Sequence, residues 1–184
     1  VMDGLEELWD EEMEVYVMRL TDGEVDHRID AAALKLTDAF SAYDAIDGVE
    51  LTDKQVNRLA THVSTTLDTL FRNPPHSHVA GLIRYEGDRW RMQEQDGEKI
   101  WSVTTGIGAV SAAQVGVMLN ERGENGDAYL NRSSDLYELI ADDGPMATEA
   151  GYLAEQAFDS GELDSATPLG WSPAIRLHAT ALLD

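Results

Sequence analysis

Val56, Leu59, Val63, Leu67 and Leu70 follow Thr52 at intervals of three or four residues, which places them on one stripe of a helix. The spacing predicts an amphipathic helix over residues 52–71, with Thr52 as its cap. Asp30 caps a second helix reaching about residue 43, with Ala31, Leu36 and Phe40 along it. A helix of small residues is expected over 103–119, and further helices over 127–141 and 173–183. The last of these opens with Ser172 as cap and Pro173 at its first position. Residues 14–20 alternate loosely, Thr21-Asp22-Gly23-Glu24 is turn chemistry, and 25–28 can return, so a short β-hairpin is expected there. Pro74 and Pro75 end the helix before them, and 79–86 reads as extended. The pattern predicts one mainly all-α unit over 1–184. Its helices are joined by long polar loops, and such loops are where function is sought.

Charge narrows the partners. Thirty-five Asp and Glu oppose thirteen Lys and Arg over 184 residues, a net −22 spread along the whole chain. A phosphate backbone or an anionic lipid surface needs a positive face that these cations do not supply, so nucleic acid and membrane are excluded as partners. With 43% hydrophobic residues the chain can build a core, so a disordered acidic tail is excluded too. Hydrated carboxylates over the whole surface suit a salt-loaded, halophile-like cytoplasm, where screening removes self-repulsion. There is no cysteine, so disulfides and thiolate metal sites are impossible. No apolar stretch is expected to reach the roughly 20 residues of a membrane span. Val1-Met2-Asp3-Gly4-Leu5-Glu6 lacks the parts of a signal peptide and reads as the start of a fragment.

Two segments hold what sugar recognition requires: flat apolar faces for a pyranose and charged groups for its hydroxyls. One is Arg84-Tyr85-Glu86-Gly87-Asp88-Arg89-Trp90 with Trp101 following. The other is Tyr152-Leu153-Ala154-Glu155-Gln156 with Pro168-Leu169-Gly170-Trp171-Ser172-Pro173 following. With Trp9-Asp10-Glu11-Glu12 leading to Arg28-Ile29-Asp30-Ala31, and in this order, the chain resembles glycoside hydrolase family fifteen, the glucoamylase, glucodextranase and trehalase group. The resemblance implies part of an (α/α)6 toroid of helical hairpins, the carboxy-terminal portion of the catalytic domain. It further implies an inverting reaction with two carboxyl groups, releasing terminal glucose from an α-glucan or α-glucoside without a cofactor. Glu155 matches the general base. Arg84, Tyr85, Asp88, Trp101, Gln156 and Trp171 match substrate-binding positions.

The acid is expected upstream of Val1, because Trp9-Asp10-Glu11-Glu12 runs straight into the hairpin and reads as solvated turn residues. The isolated chain is then expected to show no appreciable hydrolysis. Segment 91–100 lacks the Gly-Asn-Pro-Trp run of the family, which leaves the linkage open. The competing class is a non-catalytic helical module that binds carbohydrate or a protein partner, with self-association through exposed helix faces. His76-Ser77-His78 reads as an exposed loop rather than a metal site, and Gly106-Ile107-Gly108 as close helix packing. Asn131-Arg132-Ser133 has the glycosylation pattern but falls within a helix.

Overall fold

A computed structural model describes residues 2–91 and 94–183. The chain opens with α1 (Met2–Glu6), then β1 (Trp9–Asp10) and β2 (Val15–Tyr16), then β3 (Arg19–Thr21) and β4 (Glu24–Asp26). A 3-10 turn (Ala31–Lys35) leads into α2 (Leu36–Asp44) and α3 (Asp53–Leu70). The rest runs β5 (Phe71–Arg72), β6 (Gly81–Leu82), β7 (Ile100–Trp101), α4 (Ser102–Glu121), α5 (Asp127–Glu138), β8 (Gln156–Ala157), β9 (Leu163–Asp164) and α6 (Trp171–Leu183). Strands β5 to β9 form one antiparallel sheet in sequence order, while β1–β2 and β3–β4 are separate hairpins.

This architecture corrects the expectation of a mainly all-α (α/α)6 toroid. The fold is mixed: helices hold 45% of the residues and a five-stranded antiparallel sheet stands beside them. In place of a ring of helical hairpins, α4 runs through the centre with α3, α5 and α6 packed around it. The sheet escaped the sequence pattern because every one of its strands is two residues long, too short for alternation to register. The expected N-terminal hairpin is present as β3–β4, with a second hairpin ahead of it.

Local chemistry explains the helices. Thr52 and Gln55 form a reciprocal capping box at the start of α3, and the stripe Val56, Leu59, Val63, Leu67, Leu70 is buried. Helix α4 has no polar face, because it is buried on nearly all sides. It is long and apolar enough to cross a membrane, contrary to the sequence expectation, and 78% of that stretch is buried inside the protein. Helix α6 begins at Trp171, one residue before the expected cap. Ser172 lies inside it with its hydroxyl 2.7 Å from that of Ser102. Ser133 in α5 is buried and donates to the Ala109 carbonyl, so the hydroxyl of the glycosylation pattern is engaged in helix packing, while Asn131 itself is exposed.

One buried group couples this core to pH. His62 on α3 accepts from the Tyr16 N–H through Nδ1 at 3.2 Å, and its Nε2 lies 3.2 Å from the Ala33 carbonyl. Burial pushes the imidazole down to about 4. Because the folded value lies below the ordinary 6.5, the neutral ring contributes its full stability above pH 6.5 and loses it progressively as pH falls towards 4. The loss is about 3 kcal/mol. Denaturant midpoints measured from pH 7 to 4 are expected to fall further for the native chain than for His62→Gln. Parallel profiles would exclude the assignment.

Candidate functional site

The segment carrying Arg84 is held as an extended edge against residues 29–31. The Ala31 N–H donates to the Arg84 carbonyl (2.8 Å), and the Glu86 N–H donates to the Ile29 carbonyl (3.0 Å). The Glu86 carboxylate accepts from the Ile29 N–H at 2.8 Å. Gly87, at φ +72°, turns the chain so that Asp88 comes back under Arg84. The guanidinium donates to both Asp88 oxygens, at 2.6 and 2.7 Å, and the Trp90 N–H donates to one of them at 2.9 Å. Asp88 is buried. Burial pushes its carboxyl up, but the Arg84 fork and the Trp90 N–H outweigh it and hold the group below the usual carboxylate range. The guanidinium also lies over the Trp101 indole, 4.2 Å from the ring centroid, with Tyr85 at 5.6 Å and Trp90 at 5.8 Å.

Glu155 arrives from a different part of the chain. It stands immediately before β8, whose Gln156 pairs with Trp101 across β7. Gln156 is buried with its neighbours Ala154 and Ala157, while Glu155 stays half-exposed. The Ser165 hydroxyl donates to Glu155 Oε2, and no described residue bonds Oε1. Ser165 holds a left-handed backbone at φ +69°, a conformation that costs a non-glycine residue about 1 kcal/mol or more. The Glu155 charge reaches Arg84: the guanidinium is raised above its ordinary value first by the bond to Asp88, with Glu155 adding to the effect.

Thus Arg84, Tyr85, Asp88, Trp101, Glu155 and Gln156, taken from segments 84–88, 101 and 155–156, meet in one region. Two buried polar atoms there, Trp101 Nε1 and Gln156 Oε1, have no partner among the described residues. Trp171 is not part of this cluster. It is 75% exposed and lines a separate apolar hollow with Ala32, Val103, Ile107 and Ile175. The reason is that α6 starts at Trp171, which turns that side chain onto the α4–α6 seam.

Sequence reasoning also missed Ser165, Trp90 and Arg91. Ser165 carries no local signal, since its left-handed turn holds no glycine; Trp90 and Arg91 are within reach of the motif but were not assigned roles. Asp10 and Glu11 behave as turn residues. Asp10 accepts from the Met13 and Glu12 N–H groups and faces His27, while Glu11 pairs with Arg58. Both are held below the usual carboxylate range, Asp10 first by the Met13 N–H and Glu11 first by Trp9, which is opposite to what a general acid needs. Among the described residues no three His, Asp or Glu side chains converge as metal ligands would. His78 packs its ring over Gly161, where an added Cβ would stand 2.5 Å from it.

No family model, curated protein or solved structure matches the chain.

Proposed function

We propose that this region is the water-activating part of a glycoside hydrolase site, glucoamylase-like in chemistry, that acts on the terminal glucose of an α-glucan or α-glucoside with inversion. The observation that supports it most is the Glu155 carboxylate with one oxygen held by Ser165, near a guanidinium–carboxylate fork laid over an indole. In this reading Glu155 takes a proton from water as the water oxygen bonds to the anomeric carbon. Arg84, aimed by the buried Asp88 and backed by the buried Trp101, binds ring hydroxyls, and the half-buried Tyr85 supplies apolar surface. No described carboxylate is assigned the role of general acid.

A second reading, an interaction or carbohydrate-binding module without catalysis, draws on the exposed Trp171 and Leu177 of α6. Sugar titration separates them. Glucose is expected to quench tryptophan fluorescence, and Asp88→Asn to weaken that binding about tenfold or more by breaking the bidentate fork. Silence on glucose titration excludes the sugar site.

A further inference from the structure

Beside this cluster stands a closed ring of four charges. Arg91 donates to Glu94 (2.7 Å) and to Asp164 (3.1 Å), and Lys99 Nζ bonds the same two carboxylates at 2.6 and 2.8 Å. Two cations and two anions alternate, so the ring is neutral in a chain of net −22. Its inner member is sealed: the Lys99 side chain is 2% exposed and its ammonium lies 4.0 Å from the centroid of the Phe158 ring. Its outer member is not, since the Arg91 side chain is 33% exposed. Arg91 also holds a left-handed backbone, φ +55°, so the fold dictates where this side chain leaves the chain.

Two features tie Arg91 to Glu155. Arg91 bonds Asp164, and the next residue, Ser165, donates to the Glu155 carboxylate. The charge of Glu155 also helps hold the Arg91 guanidinium above its ordinary value, behind the larger effect of the Glu94 bond. A guanidinium has five N–H donors; the ring takes Nε–H and one on Nη1, and Nη2 also stands 2.7 Å from Glu94 Oε1, which leaves two N–H groups with no partner among the described residues.

We propose that Arg91 is a specificity-determining residue that gives its two unused N–H groups to the hydroxyls of a neutral sugar bound beside Glu155, with the ion ring as the frame that aims it. The inference rests on the sugar-site reading and adds to it a residue that the sequence motifs do not contain. A fork suits this role better than an ammonium, because Glu94 and Asp164 hold Arg91 through different nitrogens and leave its other N–H groups in a fixed geometry.

The test uses the full chain and methyl α-D-glucopyranoside, followed by tryptophan fluorescence, with a thermal melt of each variant. Arg91→Lys keeps a cation for Glu94 and Asp164, so its melting midpoint is expected within about 2 °C of native. Its affinity for the glucoside is expected to fall about tenfold, as for one lost charge-assisted hydrogen bond. Arg91→Met is expected to lose both affinity and melting temperature. Native affinity in Arg91→Lys, or affinity falling only in step with melting, overturns the role while leaving the sugar site intact. A native chain that binds no glucoside overturns both.

Discussion

Glu155→Gln is expected to lower fluoride release from α-D-glucopyranosyl fluoride by a hundredfold or more, about the contribution of one positioned base. Fluoride departs with the C1–F electron pair and needs little help from an acid. The reaction therefore isolates the half of the chemistry assigned to this chain, and does not conflict with the expectation that ordinary glucosides are not hydrolysed by it alone. In the native chain the water oxygen bonds to C1 from the face opposite fluorine, and its proton passes to Glu155 Oε1, the oxygen not taken by Ser165. The glutamine amide keeps size and can still accept from Ser165, so sugar binding should survive while turnover falls. Polarimetry should show β-glucose as first product. Equal rates in native and Glu155→Gln, or α-glucose first, would remove Glu155 from the role of base.

The largest stability effect is expected at Gly126. Helices α4 and α5 meet there backbone to backbone: a Cβ on residue 126 would stand 2.1 Å from the Gly116 carbonyl oxygen, and one on Gly116 would meet the Leu130 side chain at 2.8 Å. No side-chain rotation relieves a clash with a carbonyl, so Gly126→Ala must push α5 away from the central helix. The expected loss is about 3 kcal/mol, at the upper end for overpacking, or roughly 6–12 °C in melting temperature. Gly123→Ala serves as the control, because a Cβ there meets nothing within 4 Å although its φ of +78° still disfavours alanine. A Gly126→Ala midpoint as high as that of Gly123→Ala would show that the helices do not touch as described.

These two residues differ in how readable they were. Glu155 is nominated by the resemblance that segments 152–156 and 168–173 carry, and without it is one acid among thirty-five. Gly126 carries no signal of its own in the sequence, since nothing in the string says that Gly116 lies against it. Ser165 is harder still. Its donation to Glu155 depends on a left-handed turn with no glycine to announce it. Trp171 shows the reverse failure, for an attractive motif position lies on the seam beside α6, outside the cluster around Arg84.

Taken alone, the amino-acid string determined what depends on neighbours within a turn or two. It set the buried stripe of α3 and its Thr52 cap, the small-residue helix α4, the hairpin turn at Asp22-Gly23, and a net charge of −22. The tertiary structure alone decided that the fold is mixed rather than all-α, since five two-residue strands pair stretches as far apart as 101 and 156. It alone brought Arg84, Asp88, Trp101, Glu155 and Ser165 together and closed the ion ring through Asp164. Such pairings are paid for by chain closure over tens of residues and repaid by packing across the whole domain, so no local pattern records them.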